Sequence, residues 1–557
     1  MKRLKKVFPI LALAGLLGFS SCSDKSGSKG YEYLAVQLES GTNWSIMDGS
    51  GKVVVKEEYL PSCVISEIDD GTYWVQNGDK FMMYSVQSPK QPVIDEEFEG
   101  VTLFEEGLAF VSKLNQPIKM IDTDGKVVAE LPEDIVRVHS FTEGRAQFKS
   151  KNGAIGYLDK KGNVAIKAIY EEGEHFFEGL ALVKEKGGED WLIIDKDGKL
   201  QGKINSKKYE VVKLSFFGDG MLAVLLVNDN SDGYSVTFVD KTGKEVLKPF
   251  KLKSRPSGIV FEDGYCRLDD GGNCWVINTK GEKVIREGKY MALRNMGKGH
   301  FCAWKGDKWG VIDKDDNVIV DFDYKSASYS MLGDNYIMST GSYFLLVDPS
   351  GNEIKNTDFE RAYVASYFNV NYVNVKSIAA DLLEGITPSG YKAFNGKTTA
   401  DEIARLYSKD VSDVVSTRRS GYADRFDIPA PNVGEWDVRA YVEFDAPVVY
   451  RPEIIRVVND GWFAHQEKSY EEPTWNPKSV LNGVVIRLKY DKIITFNQLL
   501  EAIGNELASK GFEQEGEIFE AKNGDKYARV QLYSKSDTEL EVCFYPFFIN
   551  SIADEMD

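Results

Sequence analysis

Between residues 31 and 362 the apolar positions come in short runs rather than helical stripes, and the runs recur at a nearly fixed distance. Each run ends on a small polar or acidic residue: Asp48, Ser85, Asp122, Asp159, Asp195, Asp240, Asn278, Asp313 and Asp348. Three residues later stand Gly51, Ser88, Gly125, Gly162, Gly198, Gly243, Gly281, Asp316 and Gly351. A side chain that can bond its own backbone two residues on, followed by a position open to positive φ, is hairpin-turn chemistry. Asp159 with Gly162, Asp313 and Gly351 are therefore read as structural turn residues. A calcium loop at Asp122 or Asp195 would need a distal glutamate that does not follow, so no metal site is expected.

Upstream of the acid, the fourth residue back is Trp44, Phe81, Ile118, Ile155, Trp191, Val236, Cys274, Trp309 or Phe344, and the two just before the acid are almost all apolar. A half-exposed strand would alternate, so this strand is covered on both faces. Glu106-Gly107, Glu143-Gly144, Glu178-Gly179 and Asp263-Gly264 mark a turn into the preceding strand, and an aromatic lies eleven residues past the acid at Tyr59, Tyr170, Tyr324 and Phe359. Successive acids are 35 to 38 residues apart, except for one interval of 45 that holds the polar stretch 228–233. Four short strands with tight turns fill such a period. Repeated small sheets that cover one another predict a mainly β fold, a β-propeller of about eight blades, with a β-solenoid as the alternative.

Trp309-Gly310-Val311-Ile312-Asp313, and Gly156-Tyr157-Leu158-Asp159 through Phe177-Glu178-Gly179-Leu180-Ala181, resemble the bacterial WG (KWG) β repeat over roughly residues 31–362. The resemblance implies a repeat scaffold and supplies no catalytic residue.

The period stops after Phe359, and 363–557 reads as a smaller α+β region, with a possible linker at 408–432. Short helices are predicted at 377–383 and 399–407, the second opened by a capping box of Thr399 and Glu402. A strand at 436–444 sets Val438, Ala440, Val442 and Phe444 on one face. Another strand is expected at 484–490. Phe496, Leu499, Leu500, Ile503 and Leu507 make one stripe of a helix over 495–510, and strands follow at 527–533 and 539–544.

Residues 1–21 read as an export signal: Lys2 to Lys6, an apolar run over 7–19, then Ser20 and Ser21 before Cys22. The stretch around Cys22 resembles the lipobox of bacterial lipoproteins, which implies acylation of Cys22 and a lipid anchor in the cell envelope, with the outer membrane as the expected location. A plain secretory signal is the alternative. Residues 22–30 form a flexible tether. The formal charge is −18, and loss of the four basic residues of the signal leaves −22. Such a balance argues against nucleic acid and anionic lipid as direct partners.

Candidate chemistry is sparse. Cys266 and Cys274 flank 269–273 and are read as a possible disulfide or as buried thiols, while Cys63, Cys302 and Cys543 read as core. His139, His175, His300 and His465 share no metal-ligand spacing, so a site would have to be assembled from distant parts. Trp462, Phe463, Tyr470 and Trp475 cluster in a loop-like composition, which suits stacking on a sugar or anchoring a partner, or packing the loop onto the sheet. The expectation is a binding or scaffold protein without cofactor, held to the membrane, whose partner is another envelope protein or a glycan. A glycan-active hydrolase or lyase with a carboxylate-lined pocket is the alternative.

Overall fold

In the computed structural model the residues described are 30–227, 233–362, 368, 370–388 and, with short interruptions, 390–407 and 422–548, so most of the linker expected at 408–432 lies outside them. The chain divides into two compact units, one ending at Val373 and one starting at Asn374.

The first unit shows what the repeated turn does. In every copy with an acid or Asn at the turn and full hydrogen-bonding, one side-chain oxygen accepts two backbone N–H groups. Asp159 Oδ1 accepts from Lys161 N at 2.8 Å and Asn163 N at 2.9 Å, and Asp313 Oδ1 from Asp315 N at 2.9 Å and Asn317 N at 2.8 Å. Gly162 and Gly351 follow with φ of +80° and +87°. The turn brings the residue four before the acid directly opposite the aromatic eleven after it: Trp44 faces Tyr59, Ile155 faces Tyr170 and Trp309 faces Tyr324. Next to that pair the outer strand bulges, and its backbone lies over the neighbouring position. A Cβ at Gly156 would sit 2.7 Å from Ile166 O, and one at Gly310 2.6 Å from Val320 O. This is why the Trp-Gly pair needs its glycine. Where Ser45 replaces it, the hydroxyl accepts from Glu57 N at 2.9 Å and pairs the bulged strand.

Most copies are four-stranded antiparallel sheets; in the second and the ninth the outer strand is reduced to a single bridge, Phe81 with Phe98 and Phe344 with Phe359. Blade 3, for example, runs Gly100–Val101, Leu108–Ser112, Lys119–Asp122, Val127–Glu130. The middle strands are buried on both faces, as in Leu108–Ser112 and Cys274–Asn278, whereas the last strand, such as Val164–Gly173 or Val318–Tyr324, alternates with exposed residues. The first strand of each sheet therefore lies at the axis and the last at the rim. Blades 4 and 5 are continuous because Tyr170, on the long strand Val164–Gly173, pairs with both Ile155 and Glu185.

Nine apolar clusters fill the gaps between consecutive sheets, from the cluster of Ala35, Trp44 and Tyr73 onward. The ninth joins Leu34, Val36 and Met47 of the first copy to Leu332, Ile337, Leu346 and Phe359 of the last. The series thus returns on itself, which excludes an open solenoid, and the fold is a nine-bladed β-propeller. Nine stands at the upper end of the about eight expected from partial terminal copies, because those copies complete each other. Arg361–Ala362 is the innermost strand of blade 1, with Val36 opposite Ala362 and Gln37 opposite Arg361. Each large side chain buried in a cluster is worth about 1.5–3 kcal/mol, so closure is driven by packing and registered by this short strand.

The unit runs on past residue 362. Val370–Asn371 adds to the free edge of Ile135–Thr142, with Arg137 opposite Asn371 and Val138 opposite Val370, and Val370 is fully buried among Phe110, Phe141 and Phe148.

In the second unit a seven-stranded antiparallel sheet, in spatial order Arg425–Ile428, Asp437–Phe444, Leu481–Lys489, Glu539–Phe548, Lys526–Ser536, Ile518–Asn523 and Glu513–Glu515, carries most of the core. Val442, Phe444, Val484, Ile486, Val542 and Phe544 are buried. Helix Phe496–Ser509 buries Leu499, Ile503, Gly504 and Leu507, starts from a Thr495–Gln498 capping box, and sets Gly504 against the Phe519 ring. Helix Ala400–Leu406 has the Thr399–Glu402 box, and Val375–Leu382 is a third helix, capped by Asn374. All five described cysteines, Cys63, Cys266, Cys274, Cys302 and Cys543, are free and buried. Cys266 stands opposite Ile277 and Cys274 opposite Asp269, so the two do not face each other.

Candidate functional site at the propeller axis

The turns between first and second strands circle the axis on one face of the ring. Asp70, Glu106, Glu143, Glu178, Asp219 and Asp263 occupy them with φ of +46° to +55°, each followed by a glycine also at positive φ. A left-handed conformation costs a non-glycine residue about 1–2 kcal/mol. For Glu106, Glu143, Glu178, Asp219 and Asp263 what offsets it is a link to the next blade. Glu106 Oε1 accepts from Gly144 N at 2.7 Å. Glu143 accepts through Oε1 from Glu178 N and through Oε2 from Gly179 N, both at 2.6 Å. Glu178 accepts from Gly220 N at 2.6 Å, Asp219 from Gly264 N at 2.7 Å and Asp263 from Lys298 N at 2.8 Å. At blade 8 the sign inverts and Lys298 reaches Asp334 of blade 9 at 2.5 Å. Hydrogen bonds to a charged acceptor are the stronger kind, so this collar couples consecutive blades. In the sequence Glu106, Glu143, Glu178 and Asp263 read only as turn markers, and Asp70 and Asp219 do not stand out. The signal missed is an acid held where glycine or asparagine is cheaper.

Several groups on the innermost strands are displaced from their usual ionisation. The Glu262 carboxyl is pushed up to about 7 by burial, then by Asp263 and Asp219. Glu174 is raised by burial, then by Glu172, although it keeps accessible surface. His139, on Ile135–Thr142 of blade 4, and His175, just after Val164–Gly173 at the start of blade 5, have ring centres 5.3 Å apart. Burial, then His139, lowers His175 to about 3, so it is neutral. His300 Nδ1 lies 2.9 Å from the Tyr336 hydroxyl across the junction of blades 8 and 9.

The other sequence candidates do not gather. Cys22, Trp462 and Phe463 lie outside the described residues. Tyr470 ends a two-stranded hairpin, opposite Glu453. Trp475 is partly buried in a separate three-stranded sheet, opposite Val449. Among the described residues no group of three or more His, Cys, Asp and Glu is arranged to hold a metal ion.

Fold and site together define a closed propeller scaffold of diverged β repeats. Two of its copies, residues 155–188 and 309–330, match the family model of the WG containing repeat; both begin at a copy that keeps the glycine beneath the bulge. No curated protein sequence matches the chain. Among solved structures, a eukaryotic initiation factor aligns at 11% identity over 81% of this chain and 99% of its own, with a TM-score of 0.34. The WD40 domain of SCAP from fission yeast aligns at 12% identity over 58% and 94%, TM-score 0.29, and Kluyveromyces lactis Hsv2 at 9% over 60% and 96%, TM-score 0.25. At these scores the likeness carries no argument, and the assignment rests on the chain's own strand pairing and closure.

Proposed function

We propose that the protein is a lipid-anchored scaffold of the bacterial cell envelope, probed by binding rather than by turnover, and held to the outer membrane through Cys22. The observation that supports this reading is where the two ends of the ring lie. Tyr31 is pinned at the turn face, where Tyr31 N donates to Met331 O and Gly333 N to Tyr31 O, both at 2.7 Å. The other end is pinned at the opposite face, at the hairpin between the second and third strands of blade 3, where Asn115 N donates to Val373 O at 2.8 Å. A ring entered on one face and left on the other suits a spacer between an anchor and a displayed region, with another envelope protein or a glycan as the partner. Replacing Cys22 with Ala is expected to move the protein from the membrane fraction to the soluble fraction. Unchanged membrane retention removes the anchor. Cross-linking in intact cells, followed by capture, is expected to recover a discrete partner.

A glycan-active enzyme is the second reading, favoured by Glu262, whose carboxyl near 7 is in the range of a general acid. It needs a second free carboxylate, and the nearby Asp219 and Asp263 each accept a turn N–H from the next blade. Release of reducing ends from envelope glycans that disappears in Glu262→Gln would establish it over the scaffold.

A further inference from the structure

His139 and His175 are 36 residues apart in sequence, which is one blade. The ring therefore sets their imidazoles together at the junction of blades 4 and 5, with centres 5.3 Å apart and planes at 82°. Two imidazoles bound through nitrogen to one tetrahedral ion, at about 2.0–2.1 Å each, hold their ring centres roughly 5 Å apart. The Nδ1 atom of His175 is shut off from solvent and has no hydrogen-bond partner, and a buried polar nitrogen left in that state calls for an explanation such as a bound ion.

We infer that His139 and His175 form a two-imidazole site for a borderline divalent cation, Zn²⁺ or Cu²⁺, at the junction of blades 4 and 5. No third side chain among the described residues completes a cage. The site is independent of the membrane anchor and of the identity of any partner.

The test uses the full chain, stripped with chelator and titrated with ZnCl₂ by calorimetry and with CuCl₂ by electron paramagnetic resonance. One equivalent of either ion is expected to bind, and the copper spectrum to show two imidazole nitrogens. His139→Ala and His175→Ala should each weaken binding by about tenfold or more and leave one nitrogen, while His300→Ala and His465→Ala leave both readouts unchanged. His175→Gln keeps a polar group at the blade junction. A thermal melt verifies its fold, and zinc should raise the melting midpoint of the natural protein but not of this variant. Absence of one-equivalent binding by the natural protein overturns the inference. So does undiminished binding by the folded His175→Gln variant.

Discussion

Gly162 separates two costs that a turn glycine can hide. Its φ is +80°, and a Cβ there would lie 2.5 Å from the Cβ of Ala129 on the rim strand of blade 3. Gly179 has nearly the same φ, +76°, but a Cβ there meets nothing within 4 Å. Gly179→Ala should therefore lose only the left-handed penalty, about 1 kcal/mol. Gly162→Ala adds a backbone-level overlap between two blades. Neither partner is the end of a flexible side chain, so the blades must separate by a fraction of an ångström, at an overpacking cost of about 1–3 kcal/mol. The expected total is about 2–4 kcal/mol. Urea unfolding of the full chain, followed by tryptophan fluorescence, reads the difference as a shift in midpoint at constant slope. Ala129→Gly in the Gly162→Ala background should return the overlap term and leave the φ term, giving a coupling of about 1–3 kcal/mol in a double-mutant cycle. Equal losses for the two alanine variants, or no recovery with Ala129→Gly, would refute the claim that this turn is also a blade contact.

The collar predicts that Glu143→Ala, which leaves Glu178 N and Gly179 N without their acceptor, costs about 2–3 kcal/mol in urea unfolding and speeds hydrogen exchange at Gly179. Glu143→Gly should recover about 1 kcal/mol of that by removing the strained φ. For Glu262 the sign is opposite to that of an ordinary carboxylate. Its folded pKa of about 7 lies above the usual 4.5, so the folded state holds a proton the unfolded chain releases. Its stabilising contribution is full below pH 4.5 and lost as pH rises through 7. Glu262→Gln should match the natural protein at pH 4 and exceed it by about 2–3 kcal/mol at pH 8, read by urea midpoints at the two pH values. A chain ending at 362 should be less stable than one ending at 373 by about 2–3 kcal/mol, since it lacks the burial of Val370 and the strand pairing to Ile135–Thr142; equal melting midpoints would contradict this.

The parts of this fold that were legible in sequence are those governed by neighbours along the chain. Asp159 closes its turn on Lys161 and Asn163, and Thr399 caps a helix through Glu402, within four residues in each case. Strand burial was equally local, because a run without alternation must be covered on both faces wherever its cover comes from. The axial candidates were not legible. Glu143 looks like any turn acid until the next blade supplies Glu178 N and Gly179 N. His139 and His175 become a pair only when a repeat of constant length is wound into a ring.

The sequence by itself determined the β repeat, its period and its turns, because hydrogen bonds between residues two to four apart do not depend on where the rest of the chain goes. Only the tertiary structure decided the number of blades and the closure. Those depend on apolar surfaces more than 300 residues apart, Leu34 and Val36 against Leu346 and Phe359, and on a strand at 361–362 too short to announce itself. Contacts of that range leave no period in the sequence, since either partner alone is simply another buried residue.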